Sequence, residues 1–415
     1  MRKYRIDVAV EGAALKGSMI VEAEDEDMAK EMVLERAYDI KFKQIFDFDS
    51  VVLTKATDVG PARSMRKMAS IQRIVELNPI EGADNIEVAT VLGWKCVVKK
   101  GDFKPGDLGV YIEIDSILPE KPEFEFMKDR RYRVKTIKLC KQVSQGLMFP
   151  ISGITYVDLS KYEEESDVTE ILEIKKYDQE LPGNLRGKIA GNFPSFLKKT
   201  DETRIQSMPS FLKRHSGKMF YVTEKLDGSS FTAYLKDDTS AIGYSDANRI
   251  NKFGICSRNL ELKTDEDYFK DGDIKNLFWR AAAKCKVEDK LRKFGSNIAI
   301  QGEMVGPGIQ KNKYMMKDLN LYIFNVFDIA EHKFFSFDQM QKFCDYLGFE
   351  MVPVVDKLML DHSVDELVAM SIDKSVFGNT QREGLVFRTL EDEYDEYVGR
   401  TSFKVINPKF LLKHE

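Results

Sequence analysis

The sequence has few of the residues that build disulfide frameworks or metal sites with nitrogen and sulfur ligands. Its 415 residues include only five cysteines and four histidines. The cysteines are scattered and form no C-x-x-C pair, which argues against a disulfide scaffold and against a structural zinc site. No two histidines are spaced as a ligand pair, so a histidine-centred catalytic triad also has little support. Any metal site should therefore use oxygen ligands.

Long apolar runs are absent as well. No stretch reaches the roughly 18 uncharged apolar residues of a transmembrane helix, and the first residues lack the apolar core of a signal peptide. We therefore expect no membrane insertion and a cytoplasmic location, and we leave open whether a cellular, viral or phage genome encodes the protein. The formal net charge of −5 does not point to nucleic acid, although a local basic strip can bind phosphate in an acidic protein.

The chain is longer than one hydrophobic core usually organises, so two or three domains are expected. Residues 1–65 predict a small ββαβ unit, with strands over 3–10 and 18–23, a helix over 24–38 and a third strand near residue 50. The stretch TKATDVGPARS (54–64), which contains glycine and proline, predicts a linker. A domain boundary is therefore expected near residue 65.

Residues 66–183 consist of short strand-like runs separated by Gly, Pro and Asp turns, which predicts a small closed β-barrel. The last of these runs is basic, and on a strand its cations would form a surface for nucleic acid. The cations are Arg130, Arg131, Arg133, Lys135 and Lys138. The alternative is an edge strand that carries charge to prevent aggregation.

Residues 184–415 contain most of the candidate chemistry. Lys225 precedes Asp227 and Gly228 between two strand-like runs. A K-x-D-G match alone is weak, because it occurs by chance in about one chain in ten of this length, and a hairpin turn is the alternative. Four further groups follow in a fixed order: SRN at 257–259, QGEMVG with FNVFDI at 301–329, REGLVFR at 382–388 and SFKVINPKF at 402–410.

Taken together, these segments resemble nucleotidyltransferase motifs I, III, IIIa, IV and V of covalent ATP-dependent nucleic-acid ligases and mRNA capping enzymes. The glutamate before Lys225, the SRN triplet and the stretch FPSFLKKTDETRIQ (193–206) are more similar to RNA ligases than to DNA ligases or capping enzymes. DNA ligases and capping enzymes of this superfamily place an OB barrel after motif V, whereas only eleven residues follow Lys404 here. The barrel-like region comes first instead and is similar to the N-terminal OB domain of the fifth RNA ligase family, which seals 3′-hydroxyl/5′-phosphate nicks.

The resemblance implies an α+β multidomain fold, in which the ββαβ unit and an OB-like β-barrel precede a ligase-type nucleotidyltransferase domain with antiparallel sheets and flanking helices. It also implies that Lys225 is the nucleophile that takes AMP from ATP. Because a free lysine is neutral in only about one molecule in 2,500 at pH 7, the amine needs nearby cations and must not pair directly with a carboxylate.

The resemblance assigns a hydrated divalent cation, Mn²⁺ or Mg²⁺, to Asp227, Glu303 and Glu383, which would hold it through its water shell. For each acid taken alone, a surface salt bridge is the alternative. Lys404 resembles the motif V lysine that contacts the ATP α-phosphate. Many relatives carry a second lysine two positions later, where this chain has Ile406, so either Lys409 compensates or one phosphate contact is missing.

Three further contacts to ATP are expected. Arg258 would bind ribose or phosphate, with a plain surface arginine as the alternative. Glu224 would accept a hydrogen bond from the adenine amine. Phe327 is the first choice for stacking on the base and Phe324 the second, although both could be core residues of a buried strand.

The sequence therefore predicts a monomeric ATP-dependent RNA ligase that acts on RNA or an RNA-containing nicked duplex. Lys225 would take AMP from ATP, the AMP would pass to an RNA 5′-phosphate, and a 3′-hydroxyl would then displace it. RNA repair and the joining of restriction-cleaved tRNA both stay open as the biological role. A DNA ligase of the same superfamily and a non-catalytic RNA-binding protein with a nucleotidyltransferase fold are the alternatives.

Overall fold

The computed structural model describes residues 2–10, 16–23, 30, 51–61, 66–177, 189–237, 251–263 and 276–414. The chain forms two compact units. The first comprises Met1–Met65, Pro194–Lys198 and Asp392–Thr401, and the second comprises Arg66–Phe193, Lys199–Glu391 and Ser402–Glu415. Within the described ranges, no helix is long and apolar enough to cross a membrane.

The first unit contains a three-stranded antiparallel sheet in the order β2-β1-β3. Its strands are β1 (Arg2–Val10), β2 (Lys16–Ala23) and β3 (Val51–Pro61). The linker predicted over 54–64 is wrong for residues 54–61, because they continue β3 along β1. Pro61 is tolerated there since it is the last residue of an edge strand. The predicted helix over 24–38 lies outside the described residues, except for the helical Lys30.

The second unit begins with a five-stranded sheet in the order β11-β7-β4-β5-β6. The strands of this region are β4 (Ala69–Pro79), β5 (Ile86–Val91), β6 (Trp94–Lys99), β7 (Leu108–Ile112), β8 (Ser116–Ile117), β9 (Ile137–Leu139), β10 (Gln142–Ser144), β11 (Leu147–Pro150) and β12 (Lys175–Lys176). Gln145, which precedes β11, donates its amide to the carbonyl of Lys95 in β6 at 2.8 Å, so the chain next to one edge strand contacts the other edge strand. The fully buried Trp94, Tyr111 and Phe124 fill the interior, so the predicted barrel is present.

The basic segment is not the regular strand that we predicted. Pro122–Arg130 is a 3-10 helix, and Arg131 and Tyr132 follow with left-handed φ angles of 52° and 55°. Arg133 forms only an isolated bridge with Ile117, and regular pairing resumes at β9. The cations therefore do not line one strand.

Two further antiparallel sheets carry the rest of the second unit. The larger follows the order β13-β17-β16-β15-β18-β19-β20, with β21 parallel to β19, and the smaller follows β22-β14-β23-β26. The strands are β13 (Ile189–Asn192), β14 (Met219–Lys225), β15 (Ser229–Asp237), β16 (Asn251–Cys256), β17 (Leu260–Leu262), β18 (Ile298–Val305), β19 (Asn320–Asp328), β20 (Lys333–Phe334), β21 (Glu350–Met351), β22 (Val354–Met359), β23 (Gly384–Thr389) and β26 (Ser402–Ile406). The short β24 (Tyr394–Asp395) and β25 (Gly399–Arg400) form a hairpin in the first unit.

Short helices flank these sheets. The described α-helices are α1 (Ser210–Arg214), α2 (Leu277–Lys284), α3 (Val287–Phe294), α4 (Phe337–Leu347), α5 (Val364–Ser371) and α6 (Pro408–His414). Ser336 and Gln339 form a capping box at the start of α4, which satisfies the otherwise unpaired amides of the first turn. The apolar side of α4 packs through Phe337, Met340 and Phe343 into the core beside the larger sheet. This core fixes the strands that carry the candidate site.

Candidate active site

The K-x-D-G motif lies where the chain passes from the smaller sheet to the larger. Lys225 is the last residue of β14, and β15 begins at Ser229. A Cβ atom on Gly228 would lie 2.3 Å from the carbonyl oxygen of Met304, so only glycine fits this crossing. The motif therefore places the Lys225 amine at the junction of the two sheets.

The three predicted carboxylates meet at this junction. Lys225 Nζ donates to Glu383 Oε2 at 2.6 Å, because Glu383 comes just before β23 and Gly384 pairs with Lys225. Glu303 on β18 accepts from the amide of Gly228 at 3.1 Å. Asp227 forms an ion pair with Lys313, which follows β18 in the chain. Thus four of the five residues predicted to be catalytic form one cluster.

The direct pair between Lys225 and Glu383 contradicts our expectation that no carboxylate would contact the amine. Burial lowers the pKa of Lys225, but the charges of Glu383, Glu303 and Asp227 outweigh it, so the net shift is upward. The physical reason is that a buried carboxylate requires a neighbouring cation, and Lys225 supplies one to Glu383. The amine is therefore held charged in this arrangement.

The carboxylates themselves show excess negative charge. Burial raises the pKa of Glu303 to about 8, and repulsion from Glu383 and Asp227 adds to the rise while Lys225 opposes it. Burial also raises the pKa of Glu383. Among the described residues, no group of three or more His, Cys, Asp or Glu side chains is arranged to hold a metal ion. Asp227, Glu303 and Glu383 are thus not arranged as direct metal ligands. Their oxygens and their excess of negative charge instead fit a hydrated Mg²⁺ or Mn²⁺ that is held through its water shell.

Lys404, the fifth predicted catalytic residue, lies on β26. Its Nζ donates to Asp201 Oδ1 at 3.0 Å, and Arg258 Nη2 lies 3.0 Å from the Oδ2 atom of the same aspartate. Burial lowers the pKa of Lys404 to about 8, with Arg204 and Lys225 acting in the same direction and Asp201 against it. Lys404 and Arg258, predicted separately as nucleotide contacts, thus share one carboxylate.

The position of the missing second lysine has a packing explanation. Ile406 is 3% exposed and belongs to the hydrophobic core of the barrel. A lysine there would bury its amine among apolar groups, which is costly without a partner. Lys409, the proposed substitute, is exposed on α6.

Glu224 is suited to recognise a base. Its side chain is buried, and Oε2 accepts from the amide of Val376 at 2.9 Å. Oε1 is also buried but accepts no hydrogen bond from any described residue. Burial raises the pKa of Glu224. A buried hydrogen-bond acceptor without a donor costs free energy. An exocyclic amine of a bound base would supply the donor that Oε1 lacks.

The structure contradicts the first choice for base stacking. Phe327 is fully buried and packs edge-on against Phe334, with ring centroids 4.9 Å apart, so its ring cannot meet a ligand without leaving the core. Phe324 is half-buried, and the Arg388 guanidinium lies 5.6 Å from the centre of its ring. Phe324 is therefore the remaining candidate.

The predicted nucleic-acid residues of the barrel separate into two groups. Arg130, Arg131 and Lys138 are exposed, whereas Lys135 is partly buried. Arg133 turns inward, where it lies 3.5 Å from Asp115 Oδ1 and 3.7 Å from the centre of the Tyr177 ring. Arg133 thus stabilises the barrel, and the exposed cations stay available to a ligand.

Sequence reasoning missed several residues that complete the site. Lys313 pairs with Asp227, and the Tyr314 hydroxyl accepts from the Asp227 amide at 2.8 Å. Lys313 and Tyr314 belong to none of the motifs, and only their position a few residues after QGEMVG could have suggested a role in the site. Asp201 and Arg204 lie in the FPSFLKKTDETRIQ stretch. The resemblance of this stretch to RNA ligases indicated the region but not the role of either residue.

The chain is similar to known RNA ligases in sequence and in fold. An OB-fold domain model matches residues 68–151, and an RNA ligase model matches residues 218–406. A lysine-to-alanine variant of a Naegleria gruberi RNA ligase, solved with ATP and Mn, is 35% identical, with a TM-score of 0.73 and 84% of this chain and 99% of that chain covered. A glutamate-to-alanine variant with AMP and Mn is 36% identical, with the same TM-score and coverage. The Naegleria enzyme with pyrophosphate is 35% identical over the same shares, with a TM-score of 0.73. No curated protein matches.

Proposed function

Because this chain belongs to the RNA ligase family, we propose that it joins RNA 3′-hydroxyl and 5′-phosphate ends with ATP, through AMP carried covalently on Lys225. The observation that carries the proposal is the cluster around the Lys225 amine. The cluster brings together the Lys225 amine, a carboxylate within reach of its proton and two further acids. An amine nucleophile with a proton acceptor beside it supports transfer of a nucleotide to Lys225. The solved Naegleria relatives with ATP or AMP and Mn support the same chemistry.

In the first step, Lys225 Nζ attacks the α-phosphorus of ATP. A nitrogen–phosphorus bond forms while the bond to the β-phosphate oxygen breaks, so pyrophosphate leaves. The amine must lose a proton, and Glu383 Oε2 at 2.6 Å is within reach to accept it. A divalent cation, when bound through water to Asp227, Glu303 and Glu383, supplies positive charge that favours the neutral amine and offsets phosphate charge.

We propose four further contacts to the nucleotide, which the positions of the side chains support. Lys404 would steady charge on the α-phosphate oxygens, and Arg258 would bind ribose or phosphate beside it. Glu224 Oε1 would accept from the adenine amine, and Phe324 would stack on the base. Together these contacts would hold the α-phosphorus in line with the amine.

In the later steps, an RNA 5′-phosphate oxygen attacks the AMP phosphorus and the bond to Lys225 breaks. A 3′-hydroxyl oxygen then attacks the 5′-phosphorus, forming the phosphodiester and releasing AMP. The exposed Arg130, Arg131 and Lys138, together with Lys135, would contact the phosphates of the strand that carries the 3′-hydroxyl. We further propose a cytoplasmic monomer, a proposal with which the five free cysteines are compatible.

The decisive experiment is incubation with ATP labelled at the α-phosphate, with and without Mn²⁺. We expect a metal-dependent, acid-labile adduct that is lost in Lys225→Ala and strongly reduced in Glu383→Ala. Lys213→Ala, which alters an exposed lysine on α1, is the matched control and should label normally. Absence of label with every divalent ion would leave only the non-catalytic RNA-binding alternative.

A second experiment separates RNA ligase from DNA ligase. Two nicked duplexes are compared that differ only in the 2′-hydroxyl of the terminal 3′ nucleotide. We expect faster sealing of the ribonucleotide end. Equal rates would favour the DNA ligase alternative.

A further inference from the structure

Three cations from separate elements converge on the carboxylate of Asp201. Lys404 of β26 lies 3.0 Å from Oδ1, and Arg258 lies 3.0 Å from Oδ2. Lys176 of β12, in the barrel region, lies 3.9 Å from Oδ2. Asp201 is thus the anion at the centre of a three-cation site.

Asp201 is held in place independently of these ion pairs. The amide of Lys404 donates to the carbonyl of Thr203 at 2.9 Å, so the segment around residue 203 runs beside β26. Glu202 pairs with the buried Arg388 at 3.0 Å and accepts from the Ser402 hydroxyl. The backbone and Glu202 therefore anchor the segment, and loss of the Asp201 carboxylate should not release it.

The site is open to a ligand. The side chain of Asp201 is 34% exposed and that of Arg258 is 60% exposed, whereas that of Lys404 is 17% exposed. Carboxylate and phosphate oxygens accept from lysine and arginine in similar geometries. A polyphosphate arriving at Lys404 and Arg258 would therefore need the position that Asp201 fills.

We propose that the Asp201 carboxylate occupies a phosphate site formed by Lys404, Arg258 and Lys176, and that it is displaced when a polyphosphate binds. Before binding, Asp201 keeps Lys404 and Arg258 directed at one point. On binding, its negative charge competes with the incoming phosphate. Asp201 is thus a positioning residue that weakens polyphosphate affinity. The inference rests on the proposed function only for the chemical class of the ligand.

The test is the affinity of the full chain for inorganic pyrophosphate without divalent metal, measured by calorimetry at low and high salt. Asp201→Asn keeps the shape of the side chain and removes its charge. Loss of a competing charge at this distance should lower the dissociation constant about tenfold at low salt, and the gain should shrink at high salt. Asp201→Ser, a second variant without the carboxylate, should change affinity in the same direction.

Asp345→Asn is the matched control, since it removes one negative charge from an exposed position on α4 and should leave the affinity unchanged. Thermal unfolding of each variant establishes that it is folded. Equal or weaker pyrophosphate binding in folded Asp201→Asn and Asp201→Ser would overturn the inference, because Asp201 would then support the ligand. Pyrophosphate binding requires no transfer to Lys225, so this result is independent of adduct formation. A missing adduct would defeat the proposed function alone.

Discussion

Replacement of Lys225 by methionine removes the proposed nucleophile and the cation of the site while keeping most of the apolar stem. The variant should form no labelled adduct. It should also be less stable, because Glu383 and Glu303 lose the cation that lowers their pKa values. At an effective dielectric constant of about 20, unit charges at the 2.6 Å separation attract by roughly 6 kcal/mol.

Part of this attraction is already offset by the cost of desolvating both groups. Removing one partner of a buried pair typically costs about 3–5 kcal/mol. Because the side chain of Lys225 is 28% exposed, we expect the lower end, about 3 kcal/mol near pH 8.

The loss should depend on pH. Without Lys225, the pKa values of both acids rise further above their ordinary values. The folded state then holds more protons than the unfolded state between the ordinary and the raised pKa, so stability falls as pH rises through that window. The cost of Lys225→Met should therefore be largest near pH 8 and less than about half as large near pH 5.

Urea unfolding of wild type and Lys225→Met at the two pH values measures this difference. Lys225→Met/Glu383→Gln should recover part of the loss at the higher pH, since it removes the uncompensated charge. An equal loss at both pH values, or no recovery in the double variant, would refute the electrostatic reasoning. Labelled adduct in Lys225→Met would refute the assignment of the nucleophile.

Four further outcomes are expected. Burial raises the pKa of Glu303 to about 8, so the unfolding free energy of wild type should fall as pH rises from about 5 to 8. In urea titrations Glu303→Gln should show a flatter dependence on pH, and parallel pH profiles of the two proteins would contradict this expectation. Glu224→Gln should reduce the preference for ATP over GTP about tenfold in competition for adduct formation, and an unchanged ratio would argue against base recognition there. Lys404→Met should slow adduct formation about 100-fold at saturating ATP, whereas Lys409→Met should leave the rate unchanged. A similar loss in both variants would show that Lys409 replaces the lysine that is missing at position 406. Lys138→Glu should weaken binding to nicked RNA and lower the salt dependence of that binding. Adduct formation should stay normal in this variant, and its loss would point to misfolding.

The sequence alone identified the class of enzyme and most of the central cluster. The prediction of an ATP-dependent RNA ligase with an N-terminal OB domain is confirmed by the family models and by the Naegleria structures. This was possible because the K-x-D-G turn and the segments around Glu303, Glu383 and Lys404 are short and contiguous. Each keeps its chemical pattern within a few residues, so their order along the chain is informative without coordinates.

The partners of these residues depended on the tertiary structure. Phe324 and Phe327 are both phenylalanines and lie three positions apart in the chain. Packing alone makes Phe327 a core residue and leaves Phe324 half-buried. Arg133 looks like its exposed neighbours in sequence, but a turn directs it to Asp115. The pairing of Asp201 with Lys404 joins residues about 200 positions apart in the chain. Burial, register and ion pairing between distant strands are set only when the sheets pack together. The sequence therefore predicts the groups that we propose to react, whereas the tertiary structure determines which side chains surround them.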